Sequence, residues 1–181
     1  MITNITDYRN IGDWFYLVTA VIVVDLIVIF LAKYPGREPY FKVNALDKWY
    51  KDFGILAVGS DVGSILIGIA VARYIYTLGG FKGIFAFMAI LLLFQLFHDV
   101  LFFLGVIKPM PSGHNAMIDV FKAYAQENGA AILVADGLMM VASVVLGSLL
   151  KSAPDHVCSS VMLLSLYSLT YVLYTRTPVT V

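Results

Sequence analysis

Five apolar segments, each long enough to cross a lipid bilayer as a helix, constrain this chain more than any other feature. They cover residues 12–32, 53–77, 83–107, 129–150 and 157–175. An α-helix rises about 1.5 Å per residue, so about 20 residues cross a hydrocarbon core about 30 Å thick. Helices are the expected form because an open strand edge cannot satisfy its backbone groups in lipid. The sequence therefore predicts an all-α integral membrane bundle of about five transmembrane helices, in a single membrane domain covering 1–181.

The composition supports a lipid environment and excludes several classes of protein. The chain is 60% hydrophobic and 13% charged, whereas a soluble domain is about 45–50% apolar and about 25% charged. Its formal net charge is zero, so we expect no nucleic-acid partner. A single cysteine, Cys158, excludes an internal disulfide framework and a zinc-knuckle site, and no residue pattern indicates a cofactor. Residues 1–7 lack the basic region of a signal peptide, so we interpret the first apolar segment as a retained helix.

Two short amphipathic segments lie between the apolar ones. Apolar residues recur at helical spacing in both, at Leu46, Trp49, Tyr50 and Phe53, and at Met117, Ile118, Phe121, Tyr124 and Ala125. This spacing predicts interfacial helices near 44–52 and 115–126, each with its apolar face in the membrane interface. They divide the chain into a first hairpin, 12–77, a second hairpin, 83–150, and a fifth helix, 157–175. The alternative is that these helices dock protein partners or a second copy of the chain.

Lysine and arginine residues predict an orientation in the membrane. One side of the predicted bundle carries eight of the twelve basic residues, namely Lys33, Arg37, Lys42, Lys48, Lys51, Lys108, Lys122 and Arg176. Because basic residues concentrate on the cytoplasmic side, this imbalance places the N-terminus outside and the C-terminus in the cytoplasm.

The two hairpins share a series of landmarks in the same order. The first has Asp25, Lys33, Pro35, Asn44, Asp47, Gly54 and Asp61, and the second has Asp99, Lys108, Pro109, Asn115, Asp119, Gly129 and Asp136. Self-similarity in a fixed order is typical of an internal repeat. Both copies start on the same side, so the predicted repeats are parallel and related by an axis along the membrane normal. The alternative is that any membrane hairpin needs similar punctuation.

Four aspartates mark the residues most suited to chemistry. Asp25, Asp61, Asp99 and Asp136 each lie inside one of the first four apolar segments, ~12–13 Å from the cytoplasmic end at 1.5 Å per residue. A carboxylate at that depth is costly, so we expect at least three of the four to face the bundle interior at one level.

Small polar neighbours complete the predicted polar layer. It comprises Asp25, Asp61, Asp99, Asp136, His98, Gln95, Ser64 and Ser143. One interpretation is a proton-relay or cation site in which the carboxylates share protons, although no particular metal is indicated. The other is interhelical hydrogen bonding that holds the bundle together, with His98 as a neutral donor to a neighbouring helix.

A stripe of small residues follows the second apolar segment. Gly59 and Gly63 form a GxxxG motif, and Ser60, Ser64 and Gly68 continue it at four-residue spacing. Such a stripe permits close approach of another helix. Packing within the bundle and self-association between copies are the two interpretations.

Residues 111–114 have the sequence Pro-Ser-Gly-His, which resembles the central motif of the membrane lipid phosphatases of the phosphatidic acid phosphatase class. That resemblance implies a histidine general acid, helped by further basic residues and a second histidine. The chain has no arginine between Arg73 and Arg176, and its only later histidine, His156, falls on the opposite predicted side. A helix cap by Ser112 or Asn115 explains the tetrapeptide equally well.

Longer stretches resemble uncharacterised multi-pass membrane proteins of large DNA viruses that infect algae. These stretches are 46–54, 72–76 and 113–121. The resemblance implies an internal virion membrane or a host membrane as the location, and it implies no site residues. Three functions follow from the sequence: a small proton or cation channel or transporter, a structural membrane protein, and, least favoured, a lipid phosphatase.

Overall fold

The computed structural model describes residues 4–34 and 43–175, which form an all-α bundle. The described residues contain seven α-helices: α1 (Asp13–Lys33), α2 (Asn44–Phe53), α3 (Ile55–Leu78), α4 (Ile84–Phe102), α5 (Ala116–Asn128), α6 (Ala131–Ser152) and α7 (Asp155–Tyr174). A π-helical turn, Phe103–Ile107, continues α4. Several residues used to predict the orientation and the repeat lie outside the described residues, namely Pro35, Arg37, Lys42 and Arg176.

Five of these helices are long and apolar enough to cross a membrane. They are α1, α3, α4 with its π-helical turn, α6 and α7. Each lies within two residues of the segment predicted for it at both ends. The prediction of an all-α bundle with five candidate membrane spans is confirmed. It succeeded because the apolar segments are separated by turns rich in glycine, proline and charge, which set the ends of each helix.

The short helices α2 and α5 each lead into a long helix through a glycine. Gly54 follows α2 with φ 51° and ψ −124°, and Gly129 follows α5 with φ 53° and ψ −132°. A residue with a Cβ rarely adopts such angles, so glycine is required at both turns. The side chain of Asn115 accepts hydrogen bonds from the backbone N–H groups of Met117 and Ile118, at 2.9 and 3.1 Å. Of the two caps considered for residues 111–115, Asn115 is therefore the one used.

The long helices alternate in direction, which gives the bundle two distinct ends. At one end, which we call the amino-terminal end, Tyr8 contacts the end of α3 and Lys151 of α6 donates to the carbonyl of Asn4. At the other end, which we call the surface-helix end, α2 and α5 pack on each other. Glu127 of α5 accepts hydrogen bonds from the backbone N–H groups of Asn44 and Ala45 at the start of α2.

Part of the apolar faces of α2 and α5 packs against the long helices of the bundle, and the predicted placement of these two helices in the membrane interface stays a prediction. Trp49 and Tyr50 are only 3% and 4% exposed and pack in a cluster with Ile29, Ala57 and Leu173. The helical spacing was interpreted correctly, since both segments are helices. Docking of a partner by these two helices likewise stays a prediction.

The half of the bundle nearest the amino-terminal end has a tightly packed core. Its fully buried side chains include Leu17, Ile69, Phe87, Leu91 and Met140, which come from α1, α3, α4 and α6. Interiors of this kind leave few voids as large as a water molecule. The open space described below lies in the other half.

Candidate functional site

A cavity of about 870 Å³ occupies the half of the bundle near the surface-helix end. Residues of α2 to α6, together with Val28 of α1, form its walls, and three of the four predicted aspartates line it: Asp61 from α3, Asp99 from α4 and Asp136 from α6. The predicted residues Gln95 and His98 of α4 and Ser64 of α3 line it as well. Separate helices thus bring three carboxyl groups to one shared, partly open space.

Asp61 is held by two aromatic residues of the surface helix α2. The indole Nε1–H of Trp49 donates to both carboxylate oxygens, at 3.0 and 3.2 Å, and the hydroxyl of Tyr50 donates at 3.0 Å. Hydrogen bonds to a charged acceptor are about twice as strong as neutral ones. Asp61 therefore lines the cavity and also holds α2 in place over the end of the cavity.

The carboxyl group of Asp99 interacts with side chains of its own helix, α4. The side-chain amide of Gln95 donates to its Oδ1 at 2.8 Å, and Nδ1 of His98 lies 3.1 Å from the same oxygen. Its Oδ2 is buried and accepts no hydrogen bond from the described residues. The imidazole of His98 also stacks on Phe102, with ring centroids 5.9 Å apart, so both of these interactions lie within α4.

Two tyrosines of the surface helices are close to the carboxyl groups. Burial, followed by the negative charges of Asp136 and Asp61, raises the pKa of Tyr124 on α5 to about 12. Burial, followed by the charges of Asp61 and Asp25, raises the pKa of Tyr50 on α2 well above its ordinary value. Both hydroxyls therefore stay protonated at neutral pH and can donate hydrogen bonds into this region.

Asp25 of α1 differs from the other three aspartates. It is completely buried and does not line the cavity. Neither of its carboxylate oxygens accepts a hydrogen bond from the part of the chain that the structure describes. A buried carboxyl group without a partner is costly and is found mainly where it has a task. The prediction that the aspartates share one level in the bundle stays a prediction.

The two predicted serines bond to their own helices. The hydroxyl of Ser64 donates to the carbonyl of Asp61 at 2.9 Å, and that of Ser143 donates to the carbonyl of Met139 at 2.7 Å. Such bonds satisfy a hydroxyl locally within a helix. Ser143 is fully buried and does not line the cavity.

The glycines of the small-residue stripe lie in two different environments. A Cβ on Gly68 would lie 2.4 Å from Cε of Met140, so Gly68 permits close packing of α3 on α6. A Cβ on Gly59 or Gly63 would meet nothing within 4 Å. These two glycines instead face a smaller opening of about 340 Å³ between α3 and α4, whose other wall contains Phe94 and His98.

Sequence reasoning missed the aromatic residues that line the cavity. Trp49, Tyr50 and Tyr124 were interpreted as residues of interfacial faces, yet they sit beside the aspartates. Their helical spacing showed that they share a face. It could not show that this face turns toward the bundle.

The tetrapeptide 111–114 lies away from the cavity in an exposed turn. Within residues 4–34 and 43–175, no group of three His, Cys, Asp or Glu side chains is placed to hold a metal ion. The cavity thus combines carboxyl groups with aromatic walls. Comparison of the chain with known proteins found no matching family model, no matching curated protein and no matching solved structure.

Proposed function

We propose that this chain is a polytopic integral membrane protein that carries a proton or another cation through the bilayer. The observation that carries the proposal is the cavity of about 870 Å³ with Asp61, Asp99 and Asp136 on three of its walls. Ionisable residues inside a membrane segment are costly and typically mark ion or proton pathways. A space large enough for a ligand, with carboxyl groups converging on it, is a binding-site arrangement.

The packing favours a carrier over an open channel. The cavity occupies the half of the bundle near the surface-helix end, whereas Phe87, Leu91 and Met140 are fully buried in the core of the other half. Residues 4–12 add a further layer at the amino-terminal end. A cation bound at the carboxyl groups would need a rearrangement of this core to leave on that side, as in alternating access.

The orientation belongs to the same proposal. Five lysines lie at the surface-helix end: Lys33, Lys48, Lys51, Lys108 and Lys122. Because basic residues concentrate on the cytoplasmic side, we propose that this end, and with it the cavity, faces the cytoplasm and that the N-terminus is outside. The resemblance to proteins of algal viruses suggests a host membrane or an internal virion membrane as the location.

Flux in proteoliposomes tests the proposal. The purified chain should carry protons or a monovalent cation down an imposed gradient, with a rate that saturates as the cation concentration increases. Asp61→Asn, Asp99→Asn and Asp136→Asn should each fold and lower the flux by about tenfold or more, because each removes a titrating group from the pathway. The matched control is Asp155→Asn, which alters a carboxylate at the amino-terminal end. Flux that is unchanged in all three cavity variants would contradict the proposal.

A structural role is the second candidate, and the hydrogen bonds of Asp61 favour it. Trp49 and Tyr50 donate to Asp61 and thereby attach α2 to α3, which is the arrangement expected if the aspartate serves as interhelical glue. This candidate predicts that Asp61→Asn, which keeps an acceptor oxygen, is tolerated, whereas Asp61→Leu destabilises the protein. It also predicts that liposomes containing the wild-type chain show no flux above empty liposomes.

A further inference from the structure

We infer that the cavity binds a hydrophobic organic cation, meaning one positive charge on an aromatic or branched aliphatic body, in preference to a bare metal ion. This inference rests on the proposed function, since it names the class of cation that the same site would take. It depends on the size of the cavity, the charges and rings on its walls, and its opening toward lipid.

The size of the cavity suits an organic molecule. Cavities that hold drug-sized ligands have volumes of roughly 300–1,000 Å³, and this one has about 870 Å³. A bare ion would need ligands converging within about 2–3 Å of one point. The described residues offer no such cluster of three metal-binding side chains.

The charges on the walls select for a cation. Three carboxyl groups line the cavity, and neither lysine nor arginine is present among its described lining residues. Oδ2 of Asp99 is buried and accepts no hydrogen bond from the described chain, so an N–H donor of a ligand could satisfy it. A phosphate-bearing lipid would find three carboxyl groups and no basic partner, which disfavours an anionic or zwitterionic headgroup.

Aromatic rings form much of the remaining wall. Trp49 and Phe121 pack with ring centroids 4.7 Å apart, and Phe102 lies edge-on to Phe121. All three line the cavity, as does Tyr124. Aromatic faces attract organic cations through the ring quadrupole and bury their apolar surface. A small hydrated ion would gain much less from these walls.

The opening between α3 and α4 provides a route from the lipid. Its wall shares Ser60, Ser64, Gln95 and His98 with the larger cavity. Gly59 and Gly63 carry no side chain to obstruct it, and nothing stands within 4 Å of the position of a Cβ at either. A hydrophobic cation partitions into the membrane and can enter there, whereas a hydrated metal ion cannot.

Binding of tetraphenylphosphonium to the purified full-length chain in detergent tests the inference. The chain has two tryptophans, and only Trp49 lines the cavity. In a Trp14→Phe background, Trp49 fluorescence should therefore change saturably with tetraphenylphosphonium. Tetraphenylborate, which has nearly the same shape and the opposite charge, should give no saturable change at the same concentrations. This comparison needs no cavity variant and so does not depend on whether such variants fold.

The carboxyl groups are then tested one at a time. Asp61→Asn, Asp99→Asn and Asp136→Asn should each weaken tetraphenylphosphonium binding by about tenfold or more, because each removes one favourable charge at close range. Asp155→Asn at the far end should bind as the unsubstituted chain does. Equal binding of the two probe ions, or no loss in any of the three cavity variants, would overturn the inference.

The outcomes separate this inference from the proposed function. Proton or alkali-cation flux without binding of tetraphenylphosphonium would overturn the inference and leave the carrier proposal standing. Selective, aspartate-dependent binding without flux of any cation would support the inference and overturn the carrier proposal.

Discussion

Replacement of Arg73 should release the segment that covers the amino-terminal end of the bundle. Arg73 of α3 is completely buried. Its Nη2 donates to the carboxylate of Asp13 at 3.1 Å and to the backbone carbonyls of Asp7 and Asn10, and its guanidinium carbon lies 5.1 Å from the ring centroid of Trp14. One side chain thus joins α3 to the start of α1 and to the chain before it.

The expected cost of Arg73→Met follows from these contacts. Breaking a buried ion pair typically costs roughly 3–5 kcal/mol, because the remaining partner is left as an uncompensated charge. Asp13 keeps a second partner, since Nζ of Lys151 lies 2.6 Å from its other oxygen. We therefore expect a loss near the lower limit, about 3 kcal/mol in the free energy of unfolding.

Unfolding of the detergent-solubilised chain by added sodium dodecyl sulfate, followed by circular dichroism, measures this loss. The Arg73→Met variant should also expose residues 4–12 to protease. Exposed Lys82 at the same end provides the matched control, and Lys82→Met should change stability by less than about 0.5 kcal/mol. In a double-mutant cycle, Arg73→Met and Asp13→Asn should show a coupling of about 1–3 kcal/mol. A cost below about 1 kcal/mol together with zero coupling would refute the reasoning.

Three further predictions concern a pH effect, the packing of glycines and the topology. Backbone N–H groups at the start of α2 lower the pKa of Glu127 below its ordinary value of 4.5. Glu127 therefore stabilises the fold above pH 4.5, and this stabilisation is lost as the pH falls through the lower pKa of the folded state. In the Glu127→Gln variant, the free energy of unfolding should depend less on pH in this acidic range. Gly68→Ala should give a lower thermal midpoint than Gly63→Ala, because the Cβ at position 68 must displace the side-chain end of Met140, which offsets the helix-propensity gain that alanine brings at the open position 63. A cysteine at position 48 in a Cys158→Ser background should react with an impermeant thiol reagent only after the cells are opened, and labelling of intact cells would reverse the assigned orientation.

The candidate membrane spans could be predicted closely because their signal is local. Each is a continuous apolar segment whose length matches the bilayer, and a single segment can satisfy its own backbone groups in lipid only as a helix. The short helices α2 and α5 were also found from local spacing. The hydrogen bond from Gln95 to Asp99 follows from the same logic, since residues four apart lie on one face of a helix.

The site was only partly accessible from the sequence because its shape is a tertiary property. The position of each aspartate along its helix identified the four candidates. It could not show which of them would line a common cavity. Asp25 is buried outside the cavity and Asp99 lines it, although both sit in equivalent apolar segments. The aromatic wall depends on how α2 and α5 pack on the bundle. Helical periodicity in the sequence carries no information about that packing.

The internal repeat stays a prediction, and two features of the chain are consistent with it. Gly54 and Gly129 adopt nearly the same unusual angles after α2 and α5, and an aspartate follows each by seven residues. Lys33 follows Asp25 by eight residues and Lys108 follows Asp99 by nine, and the longer interval contains the π-helical turn Phe103–Ile107.

The helix contacts match the same relationship. Exchanging the hairpins replaces α1 with α4 and α3 with α6. The packing of α1 on α6 then corresponds to that of α4 on α3, and the packing of α1 on α3 corresponds to that of α4 on α6. The two surface helices, which exchange with each other, pack together. This is the pattern that a two-fold axis along the membrane normal would produce.

The fifth long helix distinguishes the surroundings of Asp25 from those of Asp99. α7 packs along α1, and its Leu169 and Leu173 join the cluster that covers the surface-helix half of α1. In the described part of the chain, α7 does not pack along α4 in this way, and the side of α4 with His98 stays open beside α3. Asp25 on α1 is completely buried, whereas Asp99 on α4 lines the cavity. If the two hairpins are copies of one unit, the packing of α7 on only one of them is a physical reason for this difference.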